Sequence, residues 1–153
     1  MLIKKIISGG QTGVDRAALD IAIELEIPYS GFCPKGRRAE DGIVPSKYDL
    51  IEIDSTEYTD RTIKNIECSE GTLILHIDII TNGTALTKEY CIKKDIPVMI
   101  INILGEKKIS RLNFIHWLRA NSIDILNIAG PRESEGEIYN ISKNILLYLL
   151  YDK

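Results

Sequence analysis

The sequence predicts a doubly wound α/β fold, a mainly parallel sheet with helices on both faces, and two observations carry that prediction. Four short runs, Leu2 to Ile7, Thr72 to Ile77, Val98 to Ile103 and Ile123 to Ile128, are continuously or nearly continuously apolar, as strands buried on both faces must be. Between them lie segments with the spacing of amphipathic helices, and strands alternating with helices call for parallel pairing through right-handed crossovers. The resulting order, β-α, an irregular stretch, then α-β-α-β-α-β-α, is Rossmann-like.

Each element has its own justification. Val14, Ala17, Ala18, Ile21, Ala22 and Leu25 recur on one helical face, with Thr12 the expected N-cap and Asp15 its capping-box partner. A shorter helix is expected from Asp60 through Cys68, another from Thr84 to Lys94, and a third from Ser110 to Ala120 with its stop at Asn121. The last begins near Ser134, capped by the Ser134…Glu137 pair, with Ile138, Ile141, Ile145 and Leu149 as its inner stripe. Residues 27–59 break the pattern. They are too polar and glycine-rich for a helix, although Tyr29 to Cys33 and Leu50 to Ile53 suit short strands, and a connection this long is usually functional or disordered.

Composition narrows the class. The chain has 153 residues, the size of one domain, expected to span 1–153. Its 44% apolar and 27% charged residues are ordinary globular values. No apolar run approaches the roughly 20 residues of a membrane span, so no membrane partner is expected. The first residues run straight into a glycine turn without a secretory pattern, which places the expected protein in the cytoplasm. Cys33, Cys68 and Cys91 show neither a disulfide framework nor metal-ligand spacing, so reduced thiols and no metal site are expected. A net charge of −3 and 7% aromatic residues argue against extended nucleic-acid binding.

Three turns carry the chemistry. Ser8-Gly9-Gly10-Gln11-Thr12-Gly13 follows the first strand and opens the first helix, where glycines let backbone N–H groups approach an anion and the helix end adds partial positive charge. It matches neither the dinucleotide fingerprint nor a Walker loop. Asn82-Gly83-Thr84 opens a later helix in the same way. Gly130-Pro131-Arg132-Glu133-Ser134 follows the last strand, and Arg132 has a fork of donors suited to phosphate or carboxylate. All three lie at carboxyl ends of parallel strands, where open α/β sheets bind ligands. Lys35, Arg37 and Arg38 concentrate positive charge, either toward the ligand or as a surface loop neutralised by Glu40 and Asp41. The expected phosphate-binding residues are therefore Gly9, Gly10, Gln11, Thr12, Gly13, Lys35, Arg38, Gly83, Thr84, Arg132 and Ser134. His76 could face this edge, whereas His116 reads as structural. No Ser-His-Asp or Cys-His arrangement is visible, and no catalytic residue is assigned.

At these blocks the chain resembles the molybdenum carrier (molybdenum-cofactor carrier-like) family, related to the lysine-decarboxylase-like Lonely Guy proteins. The resemblance rests on Ile7 to Asp20, Gly31 to Gly42, Gly83 to Thr87 and Asn127 to Ser134. Asn82 departs from the expected Gly-Gly-Thr turn, and Glu70 stands where Asp is usual after Ser69. The resemblance implies a Rossmann-like fold that binds a phosphate-bearing, nucleotide-like or molybdopterin-type small molecule, the molybdenum cofactor among the options, commonly as a homo-oligomer. Its alternatives are a nucleotide N-glycosidase (phosphoribohydrolase) and a nucleotide-sensing module. In the hydrolase relatives, the resemblance places a catalytic glutamate where this chain has Thr87.

Overall fold

The computed structural model describes residues 1–78, 80 and 82–152. Its central sheet has five parallel strands in the order β2-β1-β9-β7-β8: β1 (Lys5–Ile7), β2 (Tyr29–Ser30), β7 (Gly71–His76), β8 (Val98–Asn102) and β9 (Ile125–Ala129). Both predicted short strands form, but the first is divided. Gly31 separates β2 from β3 (Phe32–Cys33), which leaves the sheet and pairs with β6 (Ile51–Glu52). Between them β4 (Arg38–Ala39) and β5 (Gly42–Ile43) make a small antiparallel hairpin.

Right-handed crossovers explain the layers. From β1 the chain steps outward to β2 through α1 (Val14–Glu24), and from β7 it steps outward the other way to β8 through α3 (Asn82–Lys93). Opposite directions with one handedness place these helices on opposite faces. α5 (Tyr139–Leu150) packs on α1, while α2 (Tyr58–Glu67) packs on α3. α4 (Arg111–Ala120) carries the chain from β8 back to β9, which inserts between β1 and β7.

The predicted stripe of α1 is the heart of the core. Val14, Ala17, Ala18, Ile21 and Ala22 are wholly buried against Ile6, Leu75, Leu126 and Ile128. At roughly 25 cal/mol per Å2 of apolar surface, this packing is the main stabilising term. Ser110 caps α4 by accepting from the Asn113 amide, and Asn121 ends it.

Two predicted caps are corrected. The N-cap of α1 is Gly13 and has no side-chain cap bond, because Thr12 donates to Glu40 and accepts from the Glu133 amide. Asp15 instead accepts from the Gln11 amide. Ser134 does not begin α5 but sits in a 3-10 turn (Glu133–Glu135), and α5 starts at Tyr139 after Ile138. Within α5, Ile138 and Leu149 are buried as expected and Ile141 and Ile145 pack partly buried against the core, with Ser142 and Leu146 buried beside them. α3 begins two residues earlier than expected, so Asn82-Gly83-Thr84 is its first turn.

Candidate functional site

The sheet brings the three turns together. Strand order reverses around β9, and there the loops after β1, β7 and β9 face one crevice at the carboxyl edge, as the ligand rule for open α/β sheets requires. The cleft is lined by Gly9 and Gln11 from the first turn, by Asp15 of α1, by Asn82, Gly83, Thr84 and Thr87 of α3, and by Asn127 to Gly130, Arg132 and Glu135. A further wall is α2, through Tyr58, Arg61, Thr62 and Asn65. It encloses about 70 Å3, well below the roughly 300–1,000 Å3 of a pocket that engulfs a drug-sized ligand.

Arg61 is the central positive group. It is only 5% exposed and donates through Nη1 to the Gly9 carbonyl at 2.7 Å. Burial lowers its proton affinity, opposed chiefly by Asp15. Asp15 lies in the same cleft, and burial pushes its carboxyl up to about 6 despite the pull of Arg61 and the Gln11 amide. Gln11 is 6% exposed; its Oε1 accepts from the amides of Thr12 and Glu40, while its Nε2 is buried without a partner among the described residues. A buried donor left unpaired is costly unless something outside the chain accepts from it.

Three guanidiniums surround one ring. The Cζ atoms of Arg38, Arg132 and Arg61 lie 4.4, 5.3 and 5.5 Å from the centroid of Tyr58. Each contact is a cation–π geometry, and together they concentrate positive charge at the cleft and its mouth.

Of the eleven sequence-predicted residues, Gly9, Gln11, Gly83, Thr84 and Arg132 line the cleft. The other six stand elsewhere. Thr12 and Ser134 are joined by Glu40, which accepts from the Thr12 hydroxyl and from both the amide and hydroxyl of Ser134. Burial pushes the Glu40 carboxyl up, but these bonds and Arg132 outweigh it and hold its proton affinity low. Lys35 is exposed and pairs with Asp54 at 3.4 Å, while Arg38 reaches the Tyr58 ring from outside the cleft. A Cβ on Gly10 would meet Leu50 at 2.7 Å, and one on Gly13 would meet the Pro131 carbonyl at 2.4 Å. These glycines admit neighbouring protein.

Three backbone donors of this segment are likewise engaged within the chain: Gln11 N–H on Asp15, Thr12 N–H on Gln11 and Val14 N–H on the Pro131 carbonyl. Positive charge in the cleft comes from arginine side chains. Arg37 is structural, donating to the carbonyls of Val44, Pro45, Tyr48 and Leu50. His76 lines a separate groove beside β8, away from the cleft.

The α2 wall is what sequence reading missed. Tyr58, Arg61, Thr62 and Asn65 recur at offsets of 0, 3, 4 and 7, a polar stripe on one helical face. That spacing was the available signal. Asn127, set within an otherwise apolar strand, was a second one.

A family model described as the circularly permutated YpsA SLOG family matches residues 6–150. The chain belongs to that family. Among solved structures, it is similar to the "Putative molybdenum carrier protein" of Syntrophus aciditrophicus SB, with 43% identity, a TM-score of 0.92, and coverage of 98% of this chain and 96% of that one. The resemblance to molybdenum carrier proteins is thereby borne out, as is the Rossmann-like fold. No curated protein matches the chain. No helix among the described residues is long and apolar enough to cross a membrane, and no cluster of His, Cys, Asp and Glu among them has the makeup of a metal site.

Proposed function

We propose that this SLOG-family protein is a binding or carrier protein for a small phosphate-bearing molecule of nucleotide or molybdopterin type, held at the cleft between α2, α3 and the β9 loop. The observation that carries this reading is the buried pairing of a charged donor with an unmatched one. Arg61 and the partnerless Nε2 of Gln11 line the same small crevice, and both are hydrogen-bond donors that suit phosphate oxygens. The name of the Syntrophus protein favours a molybdenum-related ligand.

Molybdopterin fits this donor set through its phosphate, which Arg61, Arg132 and Gln11 would hold. A cleft of about 70 Å3 accommodates that end of the molecule, leaving a heterocycle at the open rim. A cytoplasmic, homo-oligomeric carrier is consistent with this reading.

Asp15 favours a second reading, ribosyl hydrolysis. Thr87, at the position of the relatives' glutamate, donates its hydroxyl to the Gly83 carbonyl and is no carboxylate. Asp15 is a carboxyl in the same cleft, raised to about 6, in the range useful to a general acid or base near neutrality.

Mass spectrometry of small molecules released from freshly purified protein separates these readings from none at all. The expected result is a phosphate-bearing heterocycle, intact, whose retention weakens by about 1.5–3 kcal/mol in Arg132→Ala, the range for charge-assisted hydrogen bonds. Equal retention by both proteins would remove Arg132 from the site, and release of ribose 5-phosphate from AMP at about 1 s⁻¹ or faster, a typical enzyme rate, would replace the carrier reading with the hydrolase one.

A further inference from the structure

The arginines around Tyr58 are more numerous than one phosphate in this cleft requires. Arg61 is buried inside, beside Gln11 and the first turn of α3. Arg132 stands on the cleft wall, with its guanidinium 3.9 Å from Glu40. Arg38 lies outside the lining yet approaches the same ring most closely, at 4.4 Å.

Resting on the reading above, we propose that the site takes a ligand with two linked phosphates, a diphosphate or diphosphate ester, one group inside the cleft and the second at its mouth between Arg38 and Arg132. Like charges gathered around one ring repel, and the repulsion is relieved when anions lie among them. Acids of the chain already oppose two of the three: Asp15 acts on Arg61, and Glu40 lies 3.9 Å from Arg132. Arg38 Nη1 donates to the neutral Thr56 carbonyl at 2.9 Å, so its charge is positioned without being cancelled there.

Volume and placement then agree. The cleft is small, about 70 Å3, and Gln11 Nε2 and Arg61 would serve one phosphate there. A second, linked phosphate would reach the rim, where Arg38 and Arg132 approach Tyr58. Arg38 is delivered to that position by the β4–β5 hairpin, which is fastened to α1 through Arg16 and Asp41, with guanidinium–carboxylate bonds of 2.5 and 2.8 Å.

Calorimetric titration with orthophosphate and with pyrophosphate, at matched ionic strength and with a chelator present, tests the proposal on the full chain. Pyrophosphate is expected to bind at least about tenfold more tightly than orthophosphate, about one charge-assisted contact's worth. Arg38→Gln is expected to remove most of that advantage while changing orthophosphate affinity less than about twofold, and Arg132→Gln to weaken both. A wild type without a pyrophosphate advantage, or an advantage that survives in folded Arg38→Gln, overturns the two-phosphate site while orthophosphate binding leaves the single-phosphate reading standing. Failure of the wild type to bind either anion overturns both.

Discussion

Two glycine turns stand at equivalent strand-to-helix junctions, Gly9 to Gly13 ahead of α1 and Asn82-Gly83-Thr84 at the start of α3, and their surroundings differ atom by atom. Around the first, the space a Cβ would occupy is taken by Arg61 at Gly9, by Leu50 and Val44 at Gly10 and by the Pro131 carbonyl at Gly13. Around Gly83, no heavy atom of the described residues beyond its chain neighbours and its own helix backbone lies within 4 Å of that position. The first turn uses its glycines to let α2, the 32–52 segment and the β9 loop close together, whereas the second leaves its glycine facing open cleft. Glycine richness at a strand-to-helix junction therefore marks close approach, and only the surrounding structure says whether protein or ligand approaches.

The sharpest way to break this comparison is Gly13→Ala. Gly13 has φ +80, and its new methyl would meet Pro131 O at 2.4 Å. Backbone strain of about 1–3 kcal/mol and overpacking of about 1–3 kcal/mol together predict a loss of about 2–6 kcal/mol in urea unfolding. A loss below about 1 kcal/mol, within the range of ordinary surface substitutions, would mean that the turn yields easily and is not a packing device.

The same contrast explains what was legible in the sequence. Apolar runs and the α1 stripe depend on burial alone, so periodicity reads them directly: Val14, Ala17, Ala18 and Ile21 are all fully buried. The Thr12 and Asp15 pattern matched a capping box, but tertiary partners competed for both side chains, and Glu40 and the Gln11 amide took them. Such competition leaves no local trace. Arg61 looked like any solvent-facing helical arginine because its burial depends on α2 lying across Gly9. The order in residues 32–52 rests on Arg37 gathering four carbonyls and on Tyr48 donating to Asp20 at 2.7 Å, contacts with no sequence period. Strand ends and turns thus located the crevice, while its charged wall became visible only in three dimensions.

Asp15 gives the comparison a pH dependence. Burial raises its carboxyl from an ordinary 3.8 to about 6, so the folded protein binds this proton more tightly than the unfolded chain does. The sign follows: this group favours the fold most at low pH, and its contribution is lost as pH rises from about 4 to about 6. Asp15→Asn keeps an acceptor for the Gln11 amide and removes the titration. Relative to wild type, the variant should gain up to about 3 kcal/mol of unfolding free energy between those pH values, two pH units at about 1.4 kcal/mol each. Denaturant unfolding of both proteins at each pH provides the measurement, and a difference that stays constant with pH would contradict the buried ionisation.

The smallest expected effect sharpens the contrast from the other side. Gly83 lies in the first turn of α3, and no described residue beyond its neighbours and its own helix backbone comes near its Cβ position, so Gly83→Ala adds a methyl without a clash among them. Alanine also restricts the unfolded chain and favours the helix, by about 0.5–1 kcal/mol in a helix interior and less in a first turn. Thermal unfolding should therefore show the variant equal to wild type or slightly more stable, the opposite of Gly13→Ala. Because Gly83 lines a crevice of only about 70 Å3, the same methyl narrows the space available to an anion. Orthophosphate affinity should fall while stability does not. A destabilisation matching that of Gly13→Ala would show that the two turns are built alike, and unchanged affinity in the stable variant would place the anion away from α3. The predicted combination, lost binding on an intact fold, arises only if the α3 turn faces ligand where the α1 turn faces protein.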